Sequence, residues 1–207
     1  KISEKKFINN LFIHPAMSDA GISYGASIAS YYKKKKRKVK KGFNIFIGPK
    51  IKTNNIEDYL KSKKLTYQRF PNAEKEVAKL LFKKKIIARC VDSLEYGPRA
   101  LGNRSILFHA ADPSVNIWLN KKLNRSEFMP FAPIVIAEER KKFFKFRKNI
   151  EFNNRYMTLA TKTKSLTKKK CPAIVHVDGT ARPQILFKED NAKLYKLMNY
   201  YFNLSGI

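Results

Sequence analysis

The sequence has no run of about 18 apolar residues, so no segment reads as a membrane-crossing helix. It shows no charged-then-apolar secretory leader. Cysteine is scarce, with Cys90 and Cys171 the whole complement, which excludes a disulfide framework and a paired-thiolate metal motif. These absences lead to the expectation of a cytoplasmic protein. No Gly-x-x-x-x-Gly-Lys-Ser/Thr stretch is present, so the chain is not a P-loop protein. No Ser-His-Asp or Cys-His arrangement is legible. Carboxylates are few as well: 16 Asp plus Glu stand against 44 Lys plus Arg, a formal net charge of +28.

What is there points to a folded chain with an anionic partner. Hydrophobic residues make up 43% of the 207, including 15 Phe and 10 Tyr. A chain so rich in large apolar side chains can bury a core, which argues against global disorder. The positive excess suits nucleic acid, a nucleotide or an acidic surface. Compositional bias is the better account of most of the lysines, since Lys, Asn and Ile are all abundant. The arginines beside glycines are a separate matter.

Residues 33–41 read KKKKRKVKK. Like charges repel and nothing there can pack, so a solvated basic linker is expected over 33–42, with a domain boundary near Gly42. Upstream, LFIHPAMSDAGISYGAS (11–27) opens like a strand, turns at His14-Pro15 and leads into small residues that suit a closely packed helix. Downstream, helical spacing alternates with short β-branched runs. Helices are expected from Ile56, from Asn72 as cap with Ala73, Val77, Leu80 and Leu81 inward, from Asp112-Pro113, and from Asp190 to Asn203. The last carries Leu194, Leu197, Met198 and Tyr201. Strands are expected at 86–91, 133–137, 157–160, 173–177 and 184–187. Mixed strands and helices give an α/β or α+β domain.

Three polar clusters interrupt this pattern. In EYGPRALGNRSIL (95–107), Gly97 and Gly102 permit backbone conformations that other residues resist. Arg99 and Arg104 flank those glycines, and Ser105 adds a hydroxyl. Such a loop can surround one anion with N–H groups and guanidinium forks. A turn with surface arginines fits the composition equally well. In LNKKLNRSEFMPFAP (119–133), Lys121, Lys122 and Arg125 precede a proline-braced strand entry. In HVDGTARPQ (176–184), Asp178-Gly179 makes a turn, and Thr180, Arg182 and Gln184 alternate beyond it, able to face one pocket. A hairpin turn is the plainer alternative. Several arginines with few carboxylates suit binding of a polyanion better than hydrolysis of a sugar or peptide. From the residues alone this is a phosphate-binding α/β domain.

At these same blocks the sequence resembles the NodU-type O-carbamoyltransferase family. The resemblance is carried by EYGPRALGNRSIL, the R-x-E-F-x-P-F-A-P stretch from Arg125, HVDGTARPQ and the upstream HPAMSDAGISYGAS, in family order. It covers nearly the whole chain apart from the lysine run. It implies that 1–32 are the tail of an actin-like (ASKHA) transferase domain, which passes the carbamoyl group to a hydroxyl using bound iron. It implies that 43–207 form an incomplete YrdC-like domain, a twisted sheet with flanking helices. In the family that domain makes carbamoyl-adenylate from ATP, taken with magnesium, and carbamoyl phosphate.

Positioned guanidinium groups lower the repulsion between two anionic reactants. The resemblance assigns that role to Arg99, Arg104, Arg125 and Arg182, with Ser105, Lys122, Asp178 and Thr180 as further binding residues. Asp19 resembles the family's metal-ligating aspartate, and a carboxylate is a reasonable ligand for iron. His14 reads as structural. Two departures stand out. Leu123 occupies the place of a lysine two residues before Arg125, and the family's Asn-Thr-Ser-Phe-Asn stretch does not follow Leu204-Ser205-Gly206-Ile207. The expected partners are ATP, carbamoyl phosphate, a hydroxyl-bearing acceptor and a chain supplying the missing parts. Two alternatives stand beside this reading: a threonylcarbamoyl-adenylate synthase of the same fold, and a basic nucleic-acid-binding protein on that scaffold.

Overall fold

The computed structural model describes residues 5–36, 44–51, 55–125 and 130–207. The expected boundary at Gly42, the greater part of the lysine run and Glu127 lie outside these residues. A 3₁₀ turn at Ser18–Gly21 leads into α1 (Ile22–Lys35), so Lys33, Lys34 and Lys35 close a helix. Cations in a last helical turn face the negative end of the helix dipole. No residue of α1 is buried, and a Cβ on Gly25 would meet nothing within 4 Å. The expectation that small residues here mark close packing fails along the helix. It holds at Gly21, where a Cβ would strike the Ala16 carbonyl.

The strand expected at Leu11–Ile13 is an extended segment held by a side chain. Asn153 Oδ1 accepts from the Ile13 N–H at 2.7 Å, and its Nδ2 donates to the Leu11 carbonyl at 2.8 Å. One buried amide thus satisfies the two backbone groups that a neighbouring strand would otherwise pair.

Helix α2 (Ile56–Ser62) is followed by α3 (Ala73–Phe82), whose cap, Asn72, accepts from the Lys75 N–H at 3.3 Å. Its inward stripe is Val77, Ala78 and Leu81. Ala73 and Leu80 point outward, one step off the expected face. Strands β1 (Ile87–Cys90) and β2 (Arg104–Leu107) pair antiparallel, with Ile87 opposite Leu107 and Cys90 opposite Arg104. Helix α4 (Ser114–Lys122) begins at Pro113, and Asp112 accepts from the Ser114 N–H at 3.0 Å.

Strand β3 (Ile134–Ile136) precedes α5 (Arg140–Phe143) and β4 (Phe144–Lys145). The strand expected at 157–160 is absent. Residues Lys148–Tyr156 wind as a 3₁₀ segment that stops at Met157 in the left-handed region, φ 54°. The Thr158 N–H and hydroxyl both bond back to the Asn153 carbonyl. The pairing strand is instead β5 (Thr161–Thr163), with α6 (Ser165–Lys170) after it. The strand expected at 173–177 is also absent. Pro172 pre-sets φ for a 3₁₀ turn over Pro172–Ile174. A tight turn follows, with the His176 N–H on the Thr180 carbonyl and the Gly179 N–H on the His176 carbonyl. Strands β6 (Thr180–Ala181) and β7 (Gln184–Leu186) lead to α7 (Ala192–Ser205).

The class is mixed α and β, as expected, with the strands divided among three short sheets. These are β1–β2, the parallel pair β3–β7, and β4–β5–β6. The parallel pair is the divider of the core. Ile185 packs into one cluster with Val135, Phe143, Phe144 and Ile174; Leu186 packs into another with Ala78, Leu81, Leu194, Leu197 and Tyr201. Gln184, Ile185 and Leu186 are all buried, the pattern of a strand covered on both faces. Burying each such aliphatic side chain contributes roughly 1.5–3 kcal/mol.

Candidate functional site

The segment from Asp92 to Leu107 is shaped by pairing at its start. The Tyr96 N–H donates to the Ile45 carbonyl at 2.7 Å, Gly48 N–H to Leu94 O at 3.0 Å, and Ile51 N–H to Asp92 O at 3.2 Å. An antiparallel ribbon with residues 45–51 therefore delivers Glu95 into the interior, where it is 7% exposed. Its Oε1 accepts three backbone N–H bonds, from Leu101 at 2.9 Å, Asn103 at 2.7 Å and Arg104 at 3.2 Å. Ser105 Oγ accepts from the Gly102 N–H at 3.0 Å, and Gln184 Nε2 donates to the Leu101 carbonyl at 3.1 Å. Arg89 Nε donates to the Gly102 carbonyl at 2.9 Å.

Both glycines of the loop are required where they stand. Gly97 has φ 104°, and a Cβ there would lie 3.1 Å from Ala16 Cα. Beside it, the Tyr96 hydroxyl donates to the Ala20 carbonyl at 2.5 Å. The upstream segment is thereby seated against one side of the loop. Gly102 has φ 113° and faces Leu194 of α7.

The other side of the loop lines a cavity of about 470 Å³. That volume lies within the range of small-molecule sites, roughly 300–1,000 Å³. Arg99, Arg104, Ser105, Arg125 and Arg182 all line it, so three sequence blocks spread over more than eighty residues converge. The remaining wall is apolar, with Phe108, Phe131, Ile134, Ile174 and Met198 among its residues. The Arg125 guanidinium lies 4.8 Å from the Phe131 ring centroid. Arg99 Nε is buried and takes no acceptor among the described residues. A buried guanidinium donor left without an acceptor is costly, and a bound anion would remove that cost.

Arg104 is placed differently. Its guanidinium donates to the carbonyls of Val91, Asp92 and Asn103, and so braces the turn before the loop. Lys122 lies outside the cavity, on the exposed face of α4 with its Nζ 5.9 Å from the Trp118 ring centroid. Asp178 and Thr180 belong to the 176–180 turn. Asp178 Oδ1 accepts from the Thr180 N–H at 2.9 Å and hydroxyl at 2.7 Å, which also holds its carboxyl below the usual range. Of Thr180, Arg182 and Gln184, Arg182 lines the cavity, and Gln184 supports its loop.

Burial lowers the His176 pKa; Asp178 opposes that shift and Arg182 adds to it. Burial also pushes the Cys171 thiol on the cavity wall up to about 11. Such a thiol is a poor nucleophile at neutral pH.

Asp19 is exposed on the 3₁₀ turn before α1. Among the described residues no three His, Cys, Asp or Glu side chains converge. The described residues by themselves therefore supply no complete set of iron ligands. Sequence reading missed Glu95, Asn103 and Asn191. The Asn191 side chain caps α7 through the Leu194 N–H at 3.0 Å and donates to Asn103 Oδ1 at 2.8 Å. The one signal for Glu95 was a lone carboxylate at the head of a loop rich in glycine and arginine.

Comparison with known proteins follows the same residues. The family model for the carbamoyltransferase C-terminus matches residues 78–207. Two uncharacterized proteins of Methanocaldococcus jannaschii are each 33% identical, over 99% and 100% of this chain and 34% and 39% of their own lengths. Nodulation protein U of Sinorhizobium fredii is 27% identical over 100% of this chain and 35% of its own length. The chain thus spans a little over a third of the length of these curated relatives.

Proposed function

The chain belongs to the NodU-type carbamoyltransferase family, of which it represents the C-terminal portion, and from that membership we propose that its arginine-lined cavity forms carbamoyl-adenylate. The reactants are carbamoyl phosphate, water and ATP as its magnesium complex. A carbamate oxygen bonds to the α-phosphorus of ATP as the bond to pyrophosphate breaks. The phosphoryl group of carbamoyl phosphate goes to water and leaves as phosphate. The product carries the carbamoyl group for transfer to a hydroxyl-bearing acceptor.

The observation that carries this reading is the convergence of Arg99, Arg125, Arg182 and Ser105 on one cavity with a largely apolar remainder. Fixed guanidinium groups in a water-poor wall stabilise charge that develops between two polyanions, at no cost of reorganisation during the reaction. The apolar wall suits the flat face of a nucleoside base. Arg104 supports the site from behind through its carbonyl contacts. No step is routed through iron, because the described residues offer no set of ligands.

The test is ATP–pyrophosphate exchange dependent on carbamoyl phosphate, with the chain and its Arg182→Ala variant. Exchange that requires carbamoyl phosphate and is lost in the variant is expected. Absence of exchange in a chain shown to be folded would leave the cavity with a binding role alone.

A further inference from the structure

We propose that Glu95 is a positioning residue for polyphosphate binding: it fixes the loop from which Arg99 reaches the cavity. The inference rests on the reading of that cavity as a polyphosphate site. Glu95 itself is turned into the protein, so any effect it has on the ligand passes through the loop.

Three observations carry it. First, a single buried oxygen of Glu95 gathers the N–H groups of Leu101, Asn103 and Arg104. This closes residues 95–104 into a ring around one carboxylate. Hydrogen bonds to an ionised acceptor are about twice as strong as neutral ones. Second, the backbone from Leu101 to Asn103 is anchored. The Gly102 N–H is held by Ser105, the Leu101 carbonyl by Gln184, the Gly102 carbonyl by Arg89, and the Asn103 carbonyl by the Val91 N–H at 3.0 Å. On the near side Gly97 is seated on Ala16. Only Pro98, Arg99 and Ala100 remain between the two anchors, and all three line the cavity. Third, Arg99 Nε is buried with no acceptor among the described residues, so its place is set by the loop and not by a partner of its own.

A donor held in advance at the position a ligand oxygen will take binds without an ordering cost. Loosening the ring lets Arg99 drift, and a displacement of about 1 Å is enough to lose much of such an interaction. Glu95→Gln keeps the size of the side chain and removes its charge. Glu95→Asp keeps the charge and withdraws the oxygen by one methylene.

The experiment measures ATP and inorganic pyrophosphate binding by calorimetry for the full chain, Glu95→Gln, Glu95→Asp, Arg99→Ala and the double variant Glu95→Gln/Arg99→Ala. Each chain's unfolding midpoint is recorded alongside. Both Glu95 variants are expected to bind roughly tenfold more weakly. On the Arg99→Ala background, Glu95→Gln is expected to cost nothing further, because its effect passes through Arg99. Unchanged affinity in the folded Glu95 variants overturns the inference while leaving the cavity reading intact. An equal loss on both backgrounds also overturns it, by making Glu95 a general support of the fold. A wild-type chain that binds neither probe overturns the cavity reading, and the inference with it.

Discussion

Gly102 and Leu194 leave no room for a carbon atom between them: a Cβ on Gly102 would lie 2.2 Å from Leu194 Cδ2. The loop that carries Arg99 and the helix that closes the chain are packed to that tolerance. Gly102 also sits at φ 113°, where any other residue is strained. Gly102→Ala is therefore expected to destabilise the fold by about 2–4 kcal/mol. Chemical denaturation monitored by circular dichroism measures it. A loss below about 1 kcal/mol would mean that the contact yields easily.

The Asn191 side chain makes two separate contacts, the cap of α7 and the bond to Asn103. Asn191→Ala is expected to cost about 1–2 kcal/mol, from the lost cap and an unpaired Asn103 oxygen. Asn191→Asp keeps the cap acceptor but cannot donate to Asn103 Oδ1. It should fall between the wild type and the alanine variant in thermal unfolding.

The two loop arginines are expected to separate by phenotype. Arg99→Ala should weaken ATP binding with little change in unfolding midpoint, since its guanidinium lines the cavity. Arg104→Ala removes donors from three carbonyls and should lower stability by about 2–3 kcal/mol. Equal stability losses in the two variants would contradict this division. A basic surface that tracked nucleic acid would behave otherwise, with RNA affinity falling steeply with salt and indifferent to Arg99.

Asn153 holds the upstream segment through Ile13 and Leu11 and also bonds the Ile150 carbonyl. Asn153→Ala should release residues 8–14 from the body of the protein. The expected readouts are faster amide exchange at Ile13 and quicker proteolysis before His14, with the exchange of Leu194 unchanged. Coincident acceleration at both sites would indicate global unfolding instead.

Cys171 gives a stability profile with a definite sign. Its thiol has an ordinary value near 9 and is pushed up to about 11 in the fold by burial. Between those values the unfolded chain has released the proton and the folded chain has kept it, so stability falls as pH rises through that window. The loss should reach roughly 2–3 kcal/mol near pH 11. Urea unfolding across pH 8–11 measures it, and Cys171→Ala should flatten the slope. At pH 8 a thiol reagent should label the exposed Cys90 quickly and leave buried Cys171 unreacted.

Much of this architecture is legible in the sequence. Asn72, Leu194, Leu197 and Tyr201 have the spacing and caps that define α3 and α7. The runs at 87–90, 134–136 and 184–186 form strands where β-branched residues gather. At two of the failures side chains took over the backbone's hydrogen bonds. The Asn153 side chain replaces a partner strand at Leu11–Ile13, and the Thr158 hydroxyl bonds back to the Asn153 carbonyl where the 3₁₀ segment ends. Pro172 turns an apolar run that otherwise reads as a strand. At the cavity, Arg99, Arg125 and Arg182 were visible as arginines in polar clusters. Their convergence depends on the parallel pairing of Ile134–Ile136 with Gln184–Leu186, which no local pattern reveals. Asp178 and Thr180 read as binding residues through the resemblance, and in the fold the Asp178 carboxylate closes the turn that Asp178-Gly179 announces, through the Thr180 N–H and hydroxyl.

That parallel ladder also sets an order of events on the ribosome. Arg99 emerges 83 residues ahead of Arg182 (182 − 99), and β3 stays unpaired until Gln184–Leu186 has been made. At about 5–20 residues per second, the basic loop waits on the order of ten seconds for the wall that faces it. During that interval Arg99 and Arg125 are guanidinium groups on an unfinished surface, in a cell crowded with RNA and free nucleotides. A polyphosphate that engages them early would meet an open half-site, and the closing of β7 beside β3 would decide whether it is enclosed or expelled.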